Sequence, residues 1–139
     1  MSLTIEIHSF SYKKGGIPKD GTGNGGGFAF DCRGILNPGR IEEYKPQTGR
    51  DAAVQEYLET KTEMPRFLKL VQEMIAINIE NYLERKFENL QINFGCTGGQ
   101  HRSVYCAEKT AAFLREKYPE ALVHVHHDEQ PQLNKQSLS

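Results

Sequence analysis

The chain has 139 residues and a mass of 15.8 kDa, which is the size of one domain. Charged residues make up 25% of it and hydrophobic residues 37%, a composition typical of a globular protein rather than a disordered one. The formal net charge of −1 excludes a strongly basic nucleic-acid binder, although it does not exclude a local basic face. The length excludes a full dehydrogenase, kinase or barrel enzyme.

The N-terminus and the cysteines indicate where the protein resides. The opening residues, MSLTIEIHSF, have neither the cationic nor the apolar segment of a signal peptide. No run approaches the roughly 18 apolar residues that a membrane span needs. The three cysteines, Cys32, Cys96 and Cys106, are too few for a disulfide framework. We therefore expect a cytoplasmic protein that makes no membrane contact.

Short strand patterns and long loops alternate in the first third of the chain. Residues 3–10 alternate apolar and polar side chains and predict a strand, and residues 28–33 predict a second one. Residues 15–27 between them hold seven glycines and a proline, which predicts a mobile loop. We interpret this loop as a flexible flap over a binding pocket. Residues 34–50 are expected to form a long surface loop.

Helical periodicity dominates the remainder of the chain. Strands that alternate with helices indicate an α/β fold, a three-layer sandwich with a small, largely parallel sheet flanked by helices. Such sheets bind ligands at the carboxyl ends of their strands. The polar residues from 128 onward are expected to fray, which leaves a single domain over 1–127 and a polar tail over 128–139. The predicted elements are a helix beginning near Asp51, helices over 65–86 and 102–117, and strands over 90–95 and 121–126.

A segment rich in phosphate-binding groups lies between the third predicted strand and the last predicted long helix. Backbone N–H groups and the dipole at a helix N-terminus favour an anion there. Gly98 and Gly99 let the chain turn with its amides pointing inward, and Arg102 can hold a phosphate through paired hydrogen bonds. A glycine-rich turn with incidental polar residues is the alternative. We call the segment the anion loop; its residues are Cys96, Thr97, Gly98, Gly99, Gln100, His101, Arg102 and Ser103.

The same loop fits an enzymatic alternative. Cys96, Arg102 and Ser103 match the signature of cysteine phosphatases, in which Cys is followed by five residues, Arg, and Ser or Thr. In that chemistry the Cys96 thiolate would attack phosphorus while Arg102 and the loop amides hold the phosphoryl oxygens. The alternative function is therefore a cysteine-dependent phosphatase or phosphotransferase. An aspartate would protonate the leaving group, and the candidates are Asp31, Asp51 and Asp128.

Four segments carry a family resemblance that covers most of the chain. SFSYKKGGIP, FDCRGILNPGR, QTGRDAAVQEYL and GCTGGQHRSVYCAE follow one another over about residues 8–118. They resemble, in the same order, the SFGFKYGLP, FDVRFLPNP, LTGLDKPVADFL and GCTGG(K/R)HRSV stretches of the C-terminal domain of RapZ, the bacterial RNase adapter. Gln100 stands where that family has a basic residue, and the family's basic tail is replaced here by HHDEQPQLNKQSLS.

The resemblance implies a regulatory module rather than an enzyme, with a fold like one half of phosphofructokinase. It implies a pocket for a phosphorylated small molecule, for example an amino-sugar phosphate such as glucosamine-6-phosphate, and an RNA partner. It also implies homo-oligomers formed through this domain. We expect no cofactor. The pocket positions implied by the resemblance are Asp31, Arg33, Asn37, Thr48, Gly49 and the anion loop.

The charge distribution bears on the RNA partner. Residues 1–50 and 96–118 together carry 11 basic and 7 acidic side chains, whereas the rest of the chain carries 6 and 11. The anion loop therefore lies in the mildly basic part of the sequence. RNA affinity depends on neutralising many phosphates, so this balance favours a small phosphorylated ligand over an extended nucleic acid.

The C-terminal histidines offer a metal-site alternative. Alternate residues of a strand share a face, so His124 and His126 could chelate a metal together with His8. No cysteine or carboxylate accompanies them at a metal-site spacing. The simpler interpretation is a strand end that faces the pocket or solvent, and we expect no metal site.

Overall fold

A four-stranded sheet forms the centre of the computed structural model, which describes residues 2–137. Its strands are β1 (Thr4–Ser11), β2 (Gly27–Asp31), β3 (Asn89–Cys96) and β4 (Leu122–His127). Their order across the sheet is β2-β3-β1-β4, and all three neighbouring pairs are parallel. This confirms an α/β fold built on a small parallel sheet flanked by helices.

Four helices accompany the sheet: α1 (Ala52–Lys61), α2 (Met64–Glu84), α3 (Arg102–Lys117) and α4 (Pro131–Ser137). α3 packs across β1, β3 and β4, and α2 packs on α1 and α3. The two long predicted helices are confirmed to within two residues at each end. Among the described residues, no helix has both the length and the hydropathy to cross a membrane.

One face of the sheet forms the hydrophobic core. Ile5 and Ile7 of β1 are in register with Leu90 and Ile92 of β3, so their side chains point to the same side. All four are at most 1% exposed. They share one core with an apolar stripe of α2, whose spacing of 3, 4 and 4 residues follows one face of the helix: Leu68, Val71, Ile75 and Ile79.

The opposite face of the sheet carries polar side chains and the glycine-rich loop. Gln91 donates from Nε2 to the carbonyl of Pro18, 3.4 Å away. Thr22, Gly23 and Asn24 line a cavity together with Lys86–Asn89, at the amino end of β3. The prediction that the glycine-rich loop forms a flap over the binding pocket is therefore wrong for residues 22–24. Because β1 and β2 are parallel, the chain between them has to cross from the carboxyl edge of the sheet to its amino edge.

The chain end also differs from the expectation of fraying, because residues 131–137 form α4. Leu133 is 6% exposed, and the side chain of Asn134 accepts a 2.7 Å hydrogen bond from the backbone N–H of His127. Asn134 Nδ2 also donates to the carbonyl of His127 at 3.5 Å, and Arg50 Nη1 donates to the carbonyl of Leu133 at 2.9 Å. One buried apolar residue and these hydrogen bonds thus fix a segment whose composition is otherwise polar.

The histidines on β1 and β4 pair with carboxylates. Glu6 lies 2.5 Å from His126 Nε2 and 3.2 Å from His124 Nδ1, and His8 pairs with Asp128 at 2.8 Å. Among the described residues, no group of three or more potential ligands is arranged to hold a metal ion. The strand alternation therefore does place His124 and His126 on one face, where they share the Glu6 carboxylate.

We predict that Ile7→Ala lowers the free energy of unfolding by about 2–5 kcal/mol, because it empties space in the centre of the sheet. Ile7 is 0% exposed and lies on β1, which pairs with strands on both sides. The matched control is Leu122→Ala on the edge strand β4, where the side chain is 52% exposed and the loss should be about 0.5 kcal/mol or less. Urea denaturation measures both, and equal losses would contradict the placement of the core.

Candidate functional site

The anion loop lies at the carboxyl edge of the sheet, between β3 and α3. Ser11 at the end of β1 donates from its hydroxyl to the carbonyl of Thr97 at 2.5 Å. Gly99 has φ +69°, and a Cβ at that position would lie 2.9 Å from Cγ of Glu129. Glycine is required there for both reasons, because other residues rarely adopt this φ and because no space is left for a side chain.

Arg102, the first residue of α3, is the buried cation of the site, with only 4% of its surface exposed. Its Nη1 donates to the carbonyl of Ile35 at 2.7 Å and to that of Arg33 at 3.1 Å. Its Nη2 lies 3.5 Å from the hydroxyl of Thr97. Its Nε is buried and has no hydrogen-bond partner among the described residues. The guanidinium is therefore held in place by neutral groups, and no described carboxylate forms an ion pair with it, although its charge contributes to lowering the pKa of nearby Asp31.

A cavity of about 260 Å³ opens beside this guanidinium. Among the described residues, its lining contains two cationic side chains, Lys45 and Arg102, and no carboxylate. The first turn of α3 holds no acidic residue, and no side chain caps it, so the helix dipole is unopposed there. The lining residues are Asn37, Gly39, Lys45, Cys96, Thr97, Gly98, Gln100, His101 and Arg102.

The long loop between β2 and α1 docks against the anion loop and forms the other wall of the cavity. Gln100 donates from Nε2 to the carbonyls of Lys45 and Gln47, at 2.7 and 2.6 Å. The N–H of Gly49 donates to the carbonyl of Gln100 at 3.0 Å. A Cβ on Gly49 would lie 2.3 Å from the carbonyl oxygen of His101, so only glycine permits this close approach. Gln100 and Gly49 therefore hold the two loops together.

His101 is neutral near pH 7 rather than cationic. Its Nε2 lies 2.8 Å from the carbonyl oxygen of Tyr44, which can only accept, so the proton is on Nε2. Burial lowers the pKa of His101 below its ordinary value of 6.5. The side chain thus anchors the Tyr44 segment, and Arg102 and Lys45 supply the positive charge of the cavity.

Asp31 and Arg33 lie close to the cavity but do not line it. Their side chains form a bidentate pair, with Asp31 accepting from Arg33 Nε at 2.9 Å and from Nη2 at 2.8 Å. The hydrogen bonds from Arg33 lower the pKa of Asp31. The guanidinium of Arg33 also stacks 4.0 Å from the ring centre of Tyr12. The contribution of Arg33 to the cavity is its backbone carbonyl, which holds Arg102.

Of the other positions implied by the family resemblance, one lines the cavity and two do not. Asn37 lines the cavity, and its Oδ1 accepts from the N–H of Gly39 at 2.8 Å. Thr48 lies outside the lining, where its hydroxyl accepts from the N–H of Arg50 and organises the turn before α1. Ser103 is fully buried behind the loop.

Cys96 is 2% exposed, and its Sγ lies 3.1 Å from the hydroxyl of Ser103. It lines the cavity, as the phosphatase alternative requires. That alternative also needs a general acid, and none of the three candidate aspartates lines the cavity. Each has another partner: Asp31 pairs with Arg33, Asp51 accepts from the N–H of Thr48 at 2.7 Å, and Asp128 pairs with His8.

Sequence reasoning missed Lys45 as a lining residue. It is the only lysine or arginine between Arg40 and Arg50, and this isolated basic residue in the long loop is the one feature that could have indicated it. Its place in the site depends on the docking of the long loop through Gln100, and no periodicity or local motif encodes that contact. The side chain is half-exposed and pairs with Glu42 at 2.8 Å.

We predict that His101→Gln makes the protein less sensitive to acid. Because the folded-state pKa of His101 is depressed, the unfolded chain binds the proton more readily, and stability falls as the pH drops below about 6.5. Glutamine can still donate to Tyr44 but does not titrate. Melting temperatures of both proteins between pH 7.5 and 5 give the test. The other histidines are common to both, so parallel pH curves would contradict the neutral state of His101.

Comparisons with known proteins identify the family of this chain. The family model described as the RapZ C-terminal domain matches residues 3–131. A nucleotide-binding protein of Endomicrobium trichonymphae is 40% identical over 83% of this chain and 38% of its own length. Proteins so named from Cereibacter sphaeroides and a Thermoanaerobacter species are each 40% identical, over 82% and 88% of this chain. The chain spans about two-fifths of these curated relatives, at 38%, 36% and 41%. It belongs to the RapZ C-terminal domain family.

Proposed function

We propose that this chain is a regulatory binding module that holds the phosphate of a small phosphorylated molecule in the cavity of the anion loop. The observation that carries the proposal is the state of Arg102, a buried cation whose Nε has no described hydrogen-bond partner and whose cavity has no carboxylate among its described lining residues. Burying a charge without a counter-charge is costly, and a bound phosphate would supply one. Lys45 adds a second cation from the facing loop.

The size and the neutral groups of the cavity support a small ligand. About 260 Å³ is less than the roughly 300–1,000 Å³ of sites for drug-sized molecules. Asn37 and Thr97 offer amide and hydroxyl groups that could bind sugar hydroxyls or an amine. An amino-sugar phosphate such as glucosamine-6-phosphate has this combination of groups.

The relatives are named nucleotide-binding proteins, and that name describes chains of which this one matches about two-fifths. A nucleotide also carries the phosphate that the cavity favours, so nucleotides belong among the ligands to be tested. The net charge of −1 gives little electrostatic attraction for RNA. We therefore propose a small phosphorylated molecule, rather than RNA, as the ligand.

We predict that glucosamine-6-phosphate raises the melting temperature of the wild type more than inorganic phosphate does, because a ligand of the folded state stabilises it by mass action. Arg102→Ala should abolish the shift, since losing one member of a buried charge pair costs about 2–5 kcal/mol. Lys45→Ala should reduce it. Differential scanning fluorimetry with sugar phosphates, nucleotides and phosphate measures these shifts.

The matched control is Arg85→Ala, which removes a cation just after α2, at the opposite end of β3 from the anion loop. It should leave the ligand-induced shift intact. Lys45 is half-exposed, so its replacement tests the cavity even if Arg102→Ala unfolds. The proposal fails if no phosphorylated compound shifts the wild type, or if the Lys45→Ala and Arg85→Ala proteins respond alike.

Cys96→Ser separates binding from catalysis. If the module only binds, the variant should keep the ligand-induced shift, because serine preserves a small polar side chain beside Ser103, and the wild type should release no phosphate from p-nitrophenyl phosphate. Phosphate release by the wild type that disappears in Cys96→Ser would instead establish the cysteine-dependent alternative. A phosphate-release assay on purified protein, run beside the fluorimetry, gives the answer.

A further inference from the structure

The glycine-rich loop contains an Asn-Gly pair that the proposed function does not use. Asn24 and Gly25 are both exposed. Asn24 is the one asparagine of the chain that is followed by glycine, and each of the other six is followed by a residue with a side chain. This distinguishes Asn24 chemically, because asparagine followed by glycine is the sequence most prone to deamidation.

Deamidation is an intramolecular reaction of the backbone with the asparagine side chain. The nitrogen of Gly25 would lose its proton and form a bond to Cγ of Asn24, while the bond from Cγ to the amide nitrogen breaks and ammonia leaves. Water then opens the resulting succinimide ring. Cleavage of the new bond gives aspartate, whereas cleavage of the original peptide bond gives isoaspartate. The net reaction consumes one water and releases one ammonia, so it needs no cofactor.

The nitrogen that would attack is held by the carboxylate of Asp20. The N–H of Gly25 donates to Oδ2 of Asp20 at 2.8 Å, and the N–H of Gly26 donates to the same oxygen at 3.2 Å. Oδ1 of Asp20 accepts from the hydroxyl of Thr22 at 2.7 Å and from its N–H at 3.1 Å. These hydrogen bonds, above all the one from the Thr22 hydroxyl, lower the pKa of Asp20 to about 2.

This arrangement opposes the first step of the reaction. A negative carboxylate at 2.8 Å favours the N–H form of Gly25 over the amide anion that attacks. A carboxylate with so low a pKa is also too weak a base to remove the proton itself. Asn24 is restrained as well, because its N–H donates to the Thr22 hydroxyl at 3.2 Å and its Nδ2 donates to the carbonyl of Gly26 at 3.5 Å.

We propose that Asn24 is a site of spontaneous deamidation and that the hydrogen bond from Gly25 to Asp20 sets its rate. The site reacts slowly while Asp20 holds the Gly25 N–H, and it reacts when the exposed loop opens and releases both residues. The inference does not depend on the ligand proposed for the anion loop, because that loop lies at the opposite edge of the sheet.

The modification would alter the start of β2. Isoaspartate at position 24 lengthens the backbone before Gly25 by one carbon and adds a negative charge close to Asp20. We therefore expect the hydrogen bonds from Gly25 and Gly26 to Asp20 to be lost. The carbonyl of Gly26 accepts from the N–H of Gln91 at 3.3 Å, next to the first residue of β2, so the amino end of the pairing between β2 and β3 would fray.

Mass spectrometry of the full chain during incubation at mildly alkaline pH tests the proposal. Peptide mapping locates the conversion, and a protein isoaspartate methyltransferase detects the isoaspartate product. The peptide that contains Asn24 should be the first to convert, and in the folded wild type it should convert about tenfold more slowly than in the same chain unfolded by urea. Equal rates in the folded and unfolded chains, or earlier conversion at another asparagine, would overturn the proposal.

Asp20→Ala tests the role of the carboxylate. This variant should raise the rate at Asn24 about tenfold in the folded protein, because one hydrogen bond to a charged group is lost. Asp20→Asn keeps the size of the side chain without its charge, and its rate should lie between those of Asp20→Ala and the wild type. A urea denaturation curve for each variant confirms that the rates are compared in folded proteins.

The matched control is Glu88→Ala. Glu88 is exposed and lines the same cavity as Asn24, so the variant removes a nearby negative charge without removing the hydrogen bond to Gly25. Its rate at Asn24 should equal that of the wild type. If Asp20→Ala does not accelerate the reaction, or if Glu88→Ala accelerates it as much, the hydrogen bond to Asp20 does not set the rate.

Discussion

The contact between Arg102 and the carbonyls of Arg33 and Ile35 is the constraint on which the site depends. It joins the first residue of α3 to the chain just after β2, two segments that sequence order separates by 67 and 69 residues. Carbonyl dipoles orient the guanidinium without neutralising it, and the charge remains in a site that is 4% exposed. A buried cation without an ion-pair partner costs free energy, and this is the physical reason for proposing that an anion binds beside it.

The all-parallel sheet explains why such a site can form there. β1, β2 and β3 end at the same edge of the sheet because they are parallel. That edge therefore brings together Ser11, the segment after Asp31 and the anion loop. The same topology sends the glycine-rich crossover away from that edge. The long loop before α1 is therefore left to close the cavity, and it does so through backbone groups that Gln100 recognises.

The elements of the fold could be predicted from periodicity because the spacing of apolar residues in each helix or strand follows the face that is buried. α3 begins and ends at the predicted residues, and the anion loop lies between β3 and α3 as expected. Lys45, the neutral state of His101 and the course of the glycine-rich loop could not be predicted, because each depends on contacts between segments far apart in sequence.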